Sequence, residues 1–206
     1  MNIRYKLTNQ NLKTYNSCQW TLGEWKETNG IGSLCTKGWL HCYSNPLLAI
    51  LLNPVHAMIK NPKLFECEVE GKCLEDRGMK EGWTRMRLVK EIPLPEISLT
   101  QKAAFGILCA KKVCEEETWV NWANNWLNGT DRTGKSATTV VTAVAADYVV
   151  AYYAAEAVNA AVNAAVYAAS ANYAAYYAAN AANAAANVTN TKNLGLIQLA
   201  NQAMKY

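Results

Sequence analysis

The fold of this chain is decided by its alanine-rich segment, residues 136–187, whose second part reads YYAAEAVNAAVNAAVYAASANYAAYYAANAANAAAN (152–187). Alanine has the highest intrinsic helix propensity, and it makes up about half of the segment, which contains neither glycine nor proline. The composition predicts one long helix, about 78 Å from end to end if it is unbroken. So long a helix with so little apolar bulk needs another surface to pack against.

Alanine also recurs in this segment at the heptad spacing of helices that pack side by side. With Ala154 as position a, every a and d position as far as Ala185 is alanine. A line of methyl groups lets a second helix approach closely, and tyrosines beside the line can cover its flanks. We therefore expect the segment to fold into an antiparallel hairpin or to pair with a second protomer. This alanine seam, the predicted binding surface, comprises Ala154, Ala157, Ala161, Ala164, Ala168, Ala171, Ala175 and Ala178, and continues to Ala182 and Ala185. The flanking tyrosines are Tyr152, Tyr153, Tyr167, Tyr173, Tyr176 and Tyr177.

The alanine-rich segment contains no cysteine and almost no charged residue. All seven cysteines lie between Cys18 and Cys114, and Asp147 and Glu156 are the only charged residues from position 136 to position 190. Groups that can carry out chemistry therefore lie N-terminal to the alanine-rich segment. The net charge of +4 is small and dispersed, which argues against a nucleic-acid-binding surface.

The composition also predicts a cytoplasmic protein that does not enter a membrane. The first residues, MNIRYK, lack the apolar stretch of a secretory signal. Asparagine recurs through the alanine-rich segment, where it would be costly in lipid. An odd number of cysteines without a signal indicates reduced thiols in a cytosol.

An α+β head domain is predicted for residues 1–97. Its clearest strand covers residues 64–70, where apolar residues alternate with glutamates, and a second strand is predicted for residues 84–92. Before them, a strand is predicted to lead into a helix that Ser44 caps, with Pro46 in its first turn and Pro54 at its end.

Helices are predicted for the remainder of the chain. A tryptophan-rich connector, residues 98–133, begins with a helix capped by Ser98 or Thr100. Its second helix carries Trp119, Trp122 and Trp126 on one stripe, which is typical of a buried face. The alanine-rich helix follows at residues 134–190, and residues 191–206 hold a short terminal helix.

Four motifs between residues 34 and 140 resemble those of a family of uncharacterised phage and prophage proteins, in which an alanine-rich helical tail is common. They read GWLHCYSNPL (38–47), NPVHA (53–57), EIPLP (91–95) and WxxWAxxWLxGxDR (119–132). The resemblance implies a viral or mobile-element origin and a place in the host cytoplasm. Small phage proteins that are neither replication enzymes nor virion parts are often counter-defence factors that bind host proteins, and the resemblance extends that expectation to this chain.

One stretch, GTDRTGKS (129–136), matches the phosphate-binding pattern GxxxxGKS. Such a loop needs a buried strand to enter it and a helix to leave it, so that backbone N–H groups face the phosphate. The residues before it have helical spacing instead. We therefore interpret the stretch as a polar turn between helices.

Three residues of the head resemble the site of ADP-ribosyltransferases, in which a histidine holds the NAD ribose, an aromatic ring stacks on nicotinamide and a glutamate stabilises the transition state. On that resemblance His41, Tyr43 and Glu91 would take these roles, with Glu70 as an alternative to Glu91. Neighbouring leucine and tryptophan residues favour a structural, hydrogen-bonded His41 instead.

The cysteines offer two weaker alternatives. Zinc would need Cys35, His41 and Cys42 with a fourth ligand from Cys18, Cys67 or Cys73, but no close CxxC pair is present. A cysteine nucleophile with His56 as its base is the second alternative. Neither pattern is strong, so we predict no metal and no cofactor.

The function best supported by the sequence is therefore protein binding without catalysis. The expected partners are a host protein and a second copy of the chain, the latter through the alanine seam. The narrower prediction is a phage-encoded inhibitor of a bacterial defence system. An ADP-ribosyltransferase-like enzyme using NAD and a virion or scaffold component remain the alternatives.

Overall fold

The computed structural model describes residues 3–146, 152–168, 171–189 and 194–206. The chain divides into two compact units, Met1–Glu96 and Ile97–Tyr206. Within the described residues, the strands lie in the first unit and most of the helices lie in the second. This order confirms the predicted α+β class.

The first unit is a head built on a mainly antiparallel sheet. Its elements are β1 (Ile3–Thr8), β2 (Lys13–Thr14), β3 (Cys18–Gln19), β4 (Lys26–Glu27), β5 (Leu40–Cys42), α1 (Pro46–His56), β6 (Lys63–Asp76) and β7 (Lys80–Ile92). The main sheet has the order β1-β6-β7-β4, and β5 pairs with β7 beside β4. β2 and β3 form a separate small ladder.

The two predicted strands are confirmed, and both extend further than the alternating pattern indicated. β6 and β7 continue as a ladder through the predicted connection, from the Glu70–Arg85 pair to the Asp76–Lys80 pair. The extension is possible because the register shifts near Gly71, which has a φ of +85°. A Cβ at Gly71 would overlap Thr84 Oγ1, so a residue without a side chain fits this bulge.

The alternation in β6 sorts its side chains between the core and the solvent. Phe65, Cys67 and Val69 are buried, whereas Glu70 is exposed. The buried face joins residues of β5, β7 and the loop before β4 in one hydrophobic cluster. Its buried members are Trp20, Leu40, Cys42, Phe65, Cys67, Val69, Met86 and Leu88.

Two details of α1 differ from the sequence prediction. Asn45, not Ser44, is its N-cap, because the Asn45 side chain accepts from the Leu47 N–H at 2.8 Å. Pro54 does not end the helix, which continues to His56. Pro54 lies in the last turn, and the helix ends where the Asn53 carbonyl accepts from the N–H groups of both Ala57 and Met58.

The second unit begins with two helices that follow the sequence prediction. α2 (Leu99–Lys111) starts with a capping box in which Ser98 and Gln101 satisfy each other's backbone N–H groups. α3 (Glu117–Leu127) buries Trp119, Trp122 and Trp126, so the stripe belongs to the core as predicted.

In its described residues, the interval predicted as one helix, 134–190, contains three helices. They are α4 (Gly134–Ala146), α5 (Tyr152–Val166) and α6 (Ala171–Thr189), and the chain ends with α7 (Leu196–Ala203). The described residues therefore do not form one unbroken helix, which leaves the hairpin that was predicted as the alternative. A lone alanine helix buries little area per residue, whereas shorter helices that pack together bury their methyl groups against one another.

α5 and α6 pack side by side, and α2 packs against both. Since only four residues separate α5 from α6, the two helices form an antiparallel hairpin, which is one of the forms predicted for the segment. α7 packs on α2, where Gln101 Nε2 donates to the Met204 carbonyl at 3.0 Å. Among the described residues, no helix has the length and apolarity that crossing a membrane requires.

Candidate functional site

Two places in the chain gather side chains that could carry a function. The first is the end of the head sheet near the β6–β7 turn, where both histidines lie. The second is the outer surface of the α5–α6 hairpin, where the tyrosines of the alanine-rich segment are found.

Both histidines of the head are engaged in hydrogen bonds. His41 lies on β5 opposite Gly82, and its Nε2–H donates to the Leu34 carbonyl. His56 closes α1 and stacks on Tyr43, with the ring centroids 6.0 Å apart and Tyr43 Oη 3.4 Å from His56 Nδ1. The structure thus places His41 and Tyr43 two positions apart on one segment and gives each a structural partner.

Burial keeps both imidazoles neutral at pH 7. It lowers the pKa of His56 to about 4, and the positive charge of Lys80 acts in the same direction while Asp76 opposes it. Burial also lowers the pKa of His41, although its hydrogen bond to Leu34 works against the shift. Burial raises the pKa of the Tyr43 hydroxyl, so that this group stays protonated.

A buried lysine, Lys6, contacts the backbone of His41. Lys6 Nζ donates to the His41 carbonyl and lies 4.6 Å from the centroid of the Trp20 ring. Burial lowers its pKa. The contacts with the carbonyl and the indole face replace part of the hydration that this ammonium group loses.

The glutamates proposed for NAD chemistry lie elsewhere on the sheet. Glu91 is nine positions along β7 from Gly82, the partner of His41, which is about 30 Å at 3.3 Å per residue. Its carboxylate pairs with Lys63 Nζ at 3.1 Å. Glu70 lies nearer, opposite Arg85, and its carboxylate is held by that arginine. The structure therefore does not bring His41 and Glu91 together.

The cysteines of the head include both buried and exposed thiols. Cys42 and Cys67 are buried in the head core, and burial raises the pKa of the Cys42 thiol. Cys35 and Cys73 are exposed. Within the described part of the chain, no three histidine, cysteine, aspartate or glutamate residues lie close enough together to hold a metal ion.

The stretch that matches a phosphate-binding loop joins two helices. It follows α3 and leads into α4, and no strand is found in the described residues of the second unit. Asp131 Oδ1 accepts from the Thr133 N–H at 2.9 Å, and Arg132 Nε donates to the Trp126 carbonyl at 2.9 Å. These bonds fit the interpretation as a polar turn.

The alanine seam lies mostly inside the second unit. Ala154, Ala157, Ala161 and Ala164 of α5 are buried, as is Ala178 of α6. Ala168 and Ala175 are partly buried, and the side chain of Ala171 lies outside the described residues. The methyl groups therefore pack against helices of the same chain. Pairing with a second copy of the chain remains a prediction. Because the seam is covered by the same chain, such pairing would have to use the exposed flanks of the hairpin.

Four tyrosines gather where α5 ends and α6 begins, and we refer to them as the tyrosine patch: Tyr167, Tyr173, Tyr176 and Tyr177. Tyr167 contacts both Tyr173 and Tyr177, with centroids 5.7 and 5.6 Å apart, and Tyr177 contacts Tyr176. Tyr173 is 59% exposed, Tyr176 46% and Tyr167 43%. Glu156 is the only charged residue in the sequence of α5 and α6.

The heptad spacing places these tyrosines beside the alanine seam, but it gives no reason to group four of them. Their grouping depends on the fold of the hairpin, which brings Tyr167 against residues of the next helix.

One contact in the head could not be predicted from the sequence. Lys80 Nζ donates to Cys35 Sγ at 3.2 Å across a separation of 45 residues.

The head matches a known protein family. A family model described as a domain of unknown function, DUF7666, matches residues 2–100, which cover the head and the first residues of α2. No curated protein and no solved structure matches the chain. The head is thus similar to a domain whose description gives no activity.

Proposed function

We propose that this protein acts by binding another protein, and that the tyrosine patch, which Tyr167 just after α5 forms with three tyrosines of α6, is its contact surface. The observation that supports this proposal is the exposure of a connected aromatic cluster on a helical pair that is almost without charge. Tyrosine is enriched in protein interfaces because its ring contributes a large contact area and its hydroxyl a hydrogen bond.

The rigidity of the patch adds to its suitability. Each ring touches at least one other ring of the patch, so the side chains are held before a partner arrives. Aromatic side chains also lose little conformational entropy when they are fixed in an interface. A polar rim is available from Asn180 and Asn183, which are partly buried on α6.

The nature of the partner is a narrower proposal. The resemblance to phage and prophage proteins supports a host protein, and among host proteins a subunit of a bacterial defence complex. On that proposal the chain is a counter-defence factor that occupies a surface of the complex. If the captured partner belonged to host metabolism, the counter-defence proposal would fail while protein binding would stand.

Affinity capture with matched variants tests the proposal. The tagged full chain, a Tyr173→Ala/Tyr176→Ala variant and a Tyr152→Ala variant are each incubated with bacterial lysate, and the bound proteins are quantified. Tyr152 is a suitable control because it is 70% exposed on α5 but is not part of the tyrosine patch.

The proposal predicts a stoichiometric partner that the double variant loses by about tenfold or more, the effect of at least 1.4 kcal/mol of lost contact. The Tyr152→Ala variant should retain the partner. Equal capture by all three proteins would contradict the assignment of the tyrosine patch, and an absence of any stoichiometric partner would contradict protein binding in that host.

A further inference from the structure

The contact between Cys35 and Lys80 joins a nucleophilic sulfur to an amine. Lys80 Nζ lies 3.2 Å from Cys35 Sγ. The cysteine is exposed and the lysine is partly exposed, so small solutes reach both atoms. The pair belongs entirely to the head unit and takes no part in the proposed binding surface.

The loop that carries Cys35 is held on both sides of the thiol. The Leu34 carbonyl accepts from the His41 ring, and Thr36 Oγ1 donates to the Ser33 carbonyl at 2.8 Å. Trp39 Nε1 donates to the Gly32 carbonyl at 2.9 Å. Since these bonds fix the backbone around residue 35, the position of its sulfur depends mainly on its own side-chain torsion.

The backbone of Lys80 is fixed as well. Lys80 opens β7 and pairs with Asp76 in the ladder. The preceding residue, Met79, is buried, and its N–H donates to the Asp76 carbonyl at 2.7 Å. The two anchored backbones thus keep the sulfur within reach of the lysine side chain, and Nζ lies near the distance at which reacting atoms meet.

We propose that Cys35 and Lys80 form a reversible covalent cross-link, a sulfenamide, when the protein meets a hydroperoxide. In the first step the Cys35 thiolate attacks one oxygen of the peroxide, the O–O bond breaks, and a sulfenic acid and hydroxide result. The sulfur is oxidised by two electrons and the peroxide is reduced.

The second step forms the cross-link. The released hydroxide takes a proton from the Lys80 ammonium group, and the neutral amine attacks the sulfenic sulfur. The S–N bond forms as the S–O bond breaks, and the oxygen leaves as water. In total a thiolate, an ammonium group and one hydrogen peroxide give the S–N bond and two molecules of water. A thiol reductant reverses the reaction by attack on the sulfur.

The cross-link would tie the Cys35 loop to the first residue of β7, beside both histidines. It would also remove the positive charge of Lys80, which lowers the pKa of His41 and of His56. The histidine resonances therefore offer a readout besides mass, since both histidines should titrate at higher pH after cross-linking.

Mass spectrometry of the oxidised full chain tests the proposal. The purified protein is treated with hydrogen peroxide, digested with a protease that does not cleave at lysine, and compared with an untreated sample. We expect one joined pair of peptides, containing Cys35 and Lys80, whose mass is lower by two hydrogen atoms than the sum of the reduced peptides. Treatment with a thiol reductant should restore the separate peptides.

Three variants act as controls. Lys80→Arg keeps a positive charge beside the thiol but has no primary amine, so it should lose the cross-link. Lys37→Arg removes the lysine nearest in sequence to Cys35, and Cys73→Ser removes the other exposed cysteine, whose sulfur contacts the Leu74 carbonyl. Both should form the cross-link in wild-type yield. Circular dichroism checks that each variant is folded.

Several results would overturn the proposal. The first is recovery of Cys35 as a sulfenic or sulfinic acid, or in a disulfide, while Lys80 stays unmodified. The second is an equal yield of the joined peptides from Lys80→Arg, and the third is a Cys35 that remains reduced when the other exposed thiol, Cys73, is oxidised.

Discussion

Gly106 of α2 lies directly against Ala178 of α6. A methyl group on Gly106 would stand 3.1 Å from the Ala178 Cα and 3.5 Å from its Cβ, so the two backbones approach as closely as small residues permit. This contact shows which surface covers the alanine seam at Ala178. The side chain of Ala178 is buried by a helix of the same unit, and α2 supplies the small residue that the close approach requires.

Gly106→Val should therefore destabilise the second unit by about 1 to 3 kcal/mol, since a branched side chain would overlap the backbone of α6 and force the helices apart. Urea unfolding measures the change. Gly134→Ala is the matched control, because a methyl group there meets no described atom within 4 Å and adds helix propensity. Wild-type stability of Gly106→Val would contradict the close packing of α2 on α6.

Trp119 should be among the most costly residues of the chain to truncate. Its side chain is fully buried and lies on Trp122, with ring centroids 5.4 Å apart. Trp119→Ala should lower the free energy of unfolding by about 3 to 5 kcal/mol, because it opens a large cavity in the core of the second unit. Tyr152→Ala, at an exposed position of the same unit, should change it by less than about 0.5 kcal/mol. If Trp119→Ala lowered the free energy of unfolding by as little as Tyr152→Ala does, the tryptophan stripe of α3 would not be part of the core.

The stability of the head should fall as the pH falls from about 6.5 to about 4, because the pKa of His56 is about 4 in the folded chain and 6.5 is its ordinary value. Between these values the unfolded chain binds more protons than the folded chain, so the free energy of unfolding rises with pH across this window. Above pH 6.5 the contribution of His56 to that free energy is fully present. The contribution is at most about 3 kcal/mol.

His56→Phe tests this origin of the pH dependence. The variant keeps an aromatic ring against Tyr43 but cannot be protonated. Urea unfolding at pH 7 and at pH 4.5 should give a smaller difference for the variant than for the wild type. Identical differences for the two proteins would assign the pH dependence to other groups, and would show that His56 is not held neutral by burial.

Glu91 should behave as a surface residue. Because its carboxylate is half exposed and pairs with Lys63, Glu91→Gln should change the free energy of unfolding by less than about 1 kcal/mol. Neither the wild type nor the variant should consume labelled NAD above background. Consumption of NAD by the wild type that Glu91→Gln abolishes, and that Glu70→Gln leaves intact, would revive the ADP-ribosyltransferase interpretation.

The sequence was sufficient to predict those parts of the fold that depend on local patterns. The alternation of residues 64–70 identified both the strand and its buried face, and Ser98, which was predicted as a cap with Thr100 as the alternative, is the N-cap of α2. The tryptophan stripe identified the buried side of α3. Each of these signals lies within one element, so no knowledge of the tertiary structure was needed to interpret it.

The remaining features depend on contacts between distant residues. Helix propensity favoured one helix over residues 134–190, since no glycine or proline marks where α5 ends at Val166. The packing of methyl groups between helices outweighs that local preference, and helix propensity gives no information about such packing. The contact of Cys35 with Lys80 and the grouping of Tyr167 with Tyr177 arise in the same way, from chain folding that spacing does not encode.

The most direct test of the account is amide hydrogen exchange of the full chain, alone and in a purified complex with the protein that it captures. We predict slower exchange in the complex for peptides that contain the tyrosine patch, residues 167–177, and little change for peptides from β6 and β7. Slower exchange confined to the head, with residues 167–177 unchanged, would contradict the assignment of the tyrosine patch as the binding surface.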